Sequence, residues 1–176
     1  MRTRLVAAFV SLFALSGCVT ATGSEPTGGF AAQPPKTGLG AVYVARPAGW
    51  HASLFPVPVE LDGRPLALLG FGTYTRVELR PGRYTLSPPN TAATRAVFGI
   101  PRPVELTVEA GKAYFLLPTR SVEDVRPTVA VAGNFVYPSQ TGTSYGSFSV
   151  QAQPAQAAPP PGFQGLSYVA PDAAFL

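Results

Sequence analysis

Residues 55–69 read FPVPVELDGRPLALL, and their alternation decides the fold class. Phe55, Val57, Val59 and Leu61 alternate with Pro56, Pro58, Glu60 and Asp62. A period of two places the four apolar side chains on one side of an extended strand. The prolines cannot donate to a hydrogen-bond ladder, so this strand belongs at a sheet edge. Asp62-Gly63 is a strong two-residue hairpin signal, and Pro65–Leu69 is the return strand. A two-residue loop sets Val59 opposite Leu66 and Val57 opposite Leu68, which makes the apolar faces coincide.

The same pattern continues outward. In GTYTRVELRPGRYTLSP (72–88), Val77 and Leu79 lie on one face, with Arg76, Glu78 and Arg80 on the other. A tight hairpin at Pro81-Gly82 brings Tyr84 and Leu86 opposite Leu79 and Val77, and Arg83 joins the charged face. Pro-Gly favours turns that splay two strands, so a corner between sheets is the other reading. In RPVELTVEAGKAYFLLPT (102–119), Val104, Leu106 and Val108 alternate with Glu105, Thr107 and Glu109. After a turn at Ala110-Gly111-Lys112, the strand Tyr114–Leu117 is apolar on both sides. With AVYVAR at 41–46 there are six or seven short strands and no convincing amphipathic helix. The expectation is an all-β chain, a small antiparallel β-sandwich of transthyretin-like or Ig-like type, or a small barrel. The domain spans 39–137, with its core at 40–119 and a final edge strand in RPTVAVAGNFVYP (126–138).

The flanks differ in composition. Residues 18–38 are rich in Gly, Pro, Thr and Ala without apolar period and read as a linker. If flexible, it reaches on the order of 25 Å. Residues 138–176 form a tail rich in Pro, Gly, Ser and Ala whose one charge is Asp172, expected to be loose. Residues 1–17 read as a signal peptide: Arg2 and Arg4, then Leu5–Leu15, where Ser11 alone is polar. That run is short of the roughly 20 apolar residues of a bilayer span.

Leu15-Ser16-Gly17-Cys18 holds the chain's single cysteine and resembles the lipobox of bacterial lipoproteins. The resemblance implies cleavage before Cys18, a diacylglycerol on its thiol and an acylated (palmitate-type) amino group. More than one chain is needed for a stable anchor. In enterobacterial lipoproteins Asp after the Cys retains the protein at the inner membrane, so Val19 implies the outer membrane. The domain then faces the periplasm, or the cell surface. Losing Arg2 and Arg4 from the 13 basic residues leaves 11 against 9 acidic ones, a net +2, which makes no case for nucleic acid.

Taken in order, VYVARP, ELDG, GTYTRVELRPGRYTL and VEAGKAYFLLP resemble a family of small bacterial lipoprotein domains of unknown function. The resemblance covers residues 40–119. The hairpin pair is also similar to PEGA-type β-domains, surface modules with a transthyretin-like sandwich, from which Gly72-Thr73-Tyr74 departs. Neither resemblance brings a catalytic residue.

Few residues point to chemistry. Gly142-Thr143-Ser144-Tyr145-Gly146 matches a hydrolase nucleophile pattern, which requires a strand–turn–helix context and a later His. The one histidine, His51, precedes it. One His and a lipid-committed Cys cannot supply a usual metal set. Glu60, Glu78, Glu105 and Glu109 fall on faces that read as solvated. Gly38-Leu39-Gly40 and Gly70-Phe71-Gly72 precede strands, not helices, so they do not cradle phosphate. No cofactor and no catalytic residue is expected. Two candidate binding features remain. Trp50 and His51 sit in the loop RPAGWHASLF, where a Trp stacks on a sugar or anchors a partner, or packs over the end of the domain. Arg76, Arg80 and Arg83 form a basic face for an anionic partner or headgroups, or a solvated face that prevents wrong pairing. The sequence therefore reads as a lipid-anchored, non-enzymatic cell-envelope protein that holds or contacts another envelope component. The alternative is a small-ligand or glycan-binding module using the Trp50 loop.

Overall fold

Asp62 and Gly63 adopt positive φ of 51° and 71°, the backbone that a two-residue turn joining twisted strands requires. Around that turn, β2 (Val57–Leu61) and β3 (Arg64–Leu69) pair antiparallel. The computed structural model describes residues 30, 32–49, 55–132, 135–155 and 157–175. Cys18, Trp50 and His51 lie outside the described residues. The other strands are β1 (Gly40–Arg46), β4 (Thr73–Leu79), β5 (Gly82–Ser87), β6 (Ile100–Pro101), β7 (Val104–Val108), β8 (Lys112–Ala132), β9 (Phe135–Pro154) and β10 (Ser167–Tyr168), with a short helix α1 (Ala92–Phe98).

The chain is mostly β, as expected, but not antiparallel throughout. One sheet, β3-β2-β5-β7, is antiparallel. The other, β10-β4-β1-β8-β9-β6, is mixed: β8 runs parallel to β1, β10 to β4 and β6 to β9. Between β1 and β8 the chain runs through strands of both sheets, and β8 then lies beside β1 in the same direction.

Two local expectations are corrected and one open choice, at Pro81-Gly82, is decided. The β2–β3 register is Val57 to Leu69 and Val59 to Ala67, with a bulge between Val59 and Glu60. The extra residue is Leu66, so Leu66 and Ala67 are buried in succession, as a bulge allows. Pro81-Gly82 is a corner and not a hairpin: β4 pairs β1, whereas β5 pairs β7, with Tyr84 opposite Leu106 and Leu86 opposite Val104. Finally, α1 is present. Thr91 Oγ1 accepts the Thr94 N–H at 3.1 Å and the Gly99 N–H donates to Arg95 O at 3.0 Å, so both helix ends are capped.

Residues of both sheets share one buried cluster. Val42, Val44, Val77, Leu79, Tyr114, Leu116 and Phe148 come from the mixed sheet, and Val57, Val59, Leu61, Leu66, Leu69, Leu86, Leu106 and Val108 from the antiparallel one. A second cluster covers the opposite face of the mixed sheet, where Ala41, Tyr43, Ala45, Ala113 and Phe115 meet Phe30, Ala155, Phe163 and Leu166. That is why the central strands β1 and β8 are apolar on both sides.

The composition-based boundaries shift accordingly. Phe30 and residues 32–38, expected in the linker, lie along the mixed sheet: the Gln33 N–H donates to Tyr43 Oη at 2.8 Å and the Lys36 N–H to Glu78 Oε1 at 3.1 Å. Most of the expected tail is structured too. Residues 138–154 belong to β9, and 157–175 fold back over the body. Small and polar residues do not prevent this, because β9 draws its ladder from the backbone and Phe163 and Leu166 supply the apolar anchors.

Candidate functional site

The pair β8–β9 extends well past the body. Lys112–Leu116 and their partners Val150–Pro154 lie within the sheet. Further out, β6 supports β9 at Tyr145 and Gly146. From Glu123 to Ala132 the ladder involves β8 and β9 alone among the described residues. At 3.3–3.4 Å per residue this makes an arm of about 30 Å.

The register assigns faces to the arm. Val122 opposes Ser144, Glu123 opposes Thr143, Arg126 opposes Thr141, Val129 opposes Pro138 and Val131 opposes Val136. An irregularity between Glu123 and Arg126 keeps Glu123 and Arg126 on one face. Val122, Val125, Val129, Val131 and Val136 therefore share the other face. A side chain at Gly142 would meet Val122 at 2.7 Å and Val125 at 3.4 Å, which places these two valines together on that face. The first face carries Glu123, Arg126, Thr128, Ser139, Thr141 and Thr143 together with Ala130 and Phe135, while Gln140 and Ser144 fall on the valine face. A valine stripe on one face of the arm is thus open to solvent: Val129 is 66% exposed, Val131 67% and Val136 66%, while Phe135, 77% exposed, pairs with Ala132 and falls on the opposite face.

A polar collar holds the arm where it leaves the body. Arg102 follows β6, and its two terminal nitrogens fork onto the Glu123 carboxylate, one at 2.7 Å. The same guanidinium lies 3.6 Å from the Tyr145 ring centroid. The hydrogen bond from Arg102 lowers the Glu123 pKa, and the bond to Glu123 raises that of Arg102. Arg120 Nε donates to Ser144 Oγ at 2.6 Å. Gly146 admits α1 closely, since a Cβ there would lie 2.8 Å from Phe98 O.

These contacts account for the Gly142–Gly146 motif. It lies mid-strand in β9, with Ser144 bonded to Arg120 and both glycines at points of close approach. No nucleophile elbow forms, because that geometry needs a strand-to-helix turn.

The arginines of the expected basic face are not brought together on one hairpin, because β4 and β5 belong to different sheets. Arg76 is largely covered: its guanidinium donates to Tyr43 Oη at 3.1 Å and to Glu78 Oε1 at 2.8 Å. Glu78 is accordingly not on a solvated face. Burial pushes its pKa up, but the Arg76 hydrogen bond, the Lys36 N–H and the charges of both residues outweigh this, and the pKa is lowered. Arg80 and Arg83 are exposed. Arg83 lines a groove of about 130 Å³ with Tyr84, Thr85, Glu105, Leu106 and Thr107, smaller than the pockets that take drug-sized ligands. Among the described residues, no three His, Cys, Asp or Glu side chains come together as a metal site. No described helix is long and apolar enough to cross a membrane.

Sequence reasoning expected one edge strand over 126–138, where the structure instead pairs the end of β8 with the start of β9, and it missed the arm that the two make. The signal that β9 does carry lies where it joins the body: Ser147, Ser149 and Gln151 alternate with Phe148, Val150 and Ala152, a period of two inside a stretch whose composition resembles low complexity. The chain matches no protein-family model, no curated protein and no solved structure in comparison.

Proposed function

We propose that this chain is a lipid-anchored, non-enzymatic protein of the bacterial cell envelope, held at the outer membrane through acylated Cys18, that works as a structural or protein-interaction module. The anchor reading rests on Leu15-Ser16-Gly17-Cys18 behind its apolar run, and the outer membrane on Val19. The body is read as a small β-sandwich, supported by the single buried cluster that both sheets line. The observation that carries the interaction role is the arm. A two-stranded ribbon is marginal by itself in water, and an exposed apolar stripe of this kind marks a contact surface. The position of Ser144 in mid-strand, bonded to Arg120, supports the non-enzymatic reading.

The test is to feed cells an alkyne fatty acid, crosslink them, and purify the protein in mild detergent. The proposal expects the wild-type chain to carry the label, to sediment with membranes and to recover a crosslinked protein. Cys18→Ala should lose the label and the membrane. An unlabelled wild-type chain would refute the anchor, and labelled chain without any protein crosslink would refute the interaction role.

A further inference from the structure

We infer that the arm is a self-association element: two copies of this chain pair antiparallel along the outer edge of β9, joining two ribbons into one four-stranded sheet. The inference rests on the interaction role proposed above and names the partner.

The two edges of the arm differ. Alternate residues of a strand aim their N–H and C=O groups away from the paired neighbour, so each edge offers a row of unmade hydrogen bonds. Along β8 that row is guarded. Arg120, Glu123, Asp124 and Arg126 crowd it, Asp124 takes a positive φ of 52°, the ladder is irregular there, and Pro127 removes an N–H. Charges, bulges and prolines are the usual means of blocking strand addition. The β9 edge carries no such guard beyond Pro138. Its 20 residues contain no charged side chain, and no described strand pairs with residues 135–144 on that side.

An uncharged strand is suited to itself. A two-fold antiparallel contact sets each residue opposite its symmetry mate or a near neighbour, and like charges there would oppose pairing. Nothing in β9 does so. The contact is also closed: each copy uses the same surface, so association stops at two. Pairing about an axis perpendicular to the sheet leaves Val122, Val125, Val129, Val131 and Val136 of both copies on one side. The valines of both copies then lie on one side of a four-stranded sheet, past the three strands that independent stability needs.

A lipid interior fits less well. The tip segment 127–138 is uncharged, but a lone ribbon in hydrocarbon would leave both backbone edges unsatisfied, at several kcal/mol per group. Strand pairing satisfies the β9 edge.

The experiment is a cysteine scan of the full chain in native membranes. Ser139→Cys, Thr141→Cys and Thr143→Cys on β9 are compared with Thr128→Cys on β8 under mild oxidation, with the parent protein beside them. Adjacent strands lie 4.7–4.9 Å apart, within disulfide reach, whereas the two β8 strands would be about 14 Å apart. The inference predicts a disulfide-linked homodimer whose yield peaks at one β9 position and exceeds that of Thr128→Cys at least tenfold. Light scattering of the detergent-purified chain should give a dimer for wild type. The double variant Ser139→Lys/Thr141→Lys should be monomeric with an unchanged circular-dichroism spectrum. A monomeric wild type, equal yields from β8 and β9, or disulfides formed only with a different protein would overturn self-pairing. The last result would leave the interaction role standing. Oxidation of the parent to a dimer would reveal a free Cys18 thiol and refute the acylated anchor, while the light-scattering comparison still decides the pairing.

Discussion

Phe163→Ala measures how firmly the C-terminal segment belongs to the body. Phe163 is completely buried. Its ring meets Phe115 edge-on with centroids 5.1 Å apart and lies tilted against Phe30 at 5.2 Å. Burying a Phe side chain contributes about 1.5–3 kcal/mol, and each aromatic contact of this type adds about 0.5–1.5 kcal/mol. A loss of about 3 kcal/mol follows, at the lower end of Phe-to-Ala changes in cores. For a chain of this size that lowers the melting temperature by about 10 °C. The loss is capped by the docking free energy of the segment itself. If the segment releases as a unit, the N–H groups of Ser167 and Val169, which donate to Gly72 O and Tyr74 O at 2.8 Å, lose protection from hydrogen exchange together. Urea unfolding followed by far-ultraviolet circular dichroism reads the first quantity, and amide exchange the second. A change below about 1 kcal/mol with protection retained would refute the docked arrangement.

Arg46 is 1% exposed, donates through Nη1 to Phe55 O at 2.8 Å and Leu69 O at 3.2 Å, and lies 4.0 Å from the Phe71 ring centroid. Arg46→Met should destabilise by about 2–3 kcal/mol in urea, because a buried carbonyl loses its donor, and Arg46→Lys should rescue little, since an ammonium cannot fork and stack at once. Gly146→Ala forces a Cβ toward Phe98 O and should cost about 1–3 kcal/mol, whereas Gly49→Ala, with open space around it, should stay within about 0.5 kcal/mol. The lowered pKa of Glu78 means that its contribution is present above the unfolded-state value of about 4.3 and is lost as pH falls through the folded-state value. Urea midpoints of Glu78→Gln and wild type should therefore differ most above about pH 5 and converge toward pH 3. A constant gap would contradict the ion-pair account.

What could be read in the sequence depended on whether the signal was local. Asp62-Gly63 and the alternation of Val57, Val59 and Leu61 are local, and β2 and β3 form where read, although β2, expected at a sheet edge from its prolines, lies between β3 and β5. The bulge at Leu66 follows from packing Leu66 and Ala67 against the same core, which no spacing rule reveals. Pro81-Gly82 left a hairpin and a corner open, and the choice was made by β1 and β7, strands distant in sequence. The helix Ala92–Phe98 is two turns long, too short for a convincing apolar period, although Thr91 and Gly99 mark its ends. Composition misled most at 138–176. Ser, Thr, Gln and Gly looked like a loose tail, while the alternation of Phe148, Val150 and Ala152 and the anchors Phe163 and Leu166 favoured order. The arm was hidden for the same reason, since its strands draw cohesion from each other's backbone and not from a core.

The most direct test of the interaction role is a photoreactive side chain placed at Val131 and, separately, at Glu105, in cells expressing the full chain at native level. The account predicts a discrete protein adduct from Val131 and none from Glu105, which lies on the antiparallel sheet away from the arm. No adduct from Val131, or equal adducts from both positions, would contradict it.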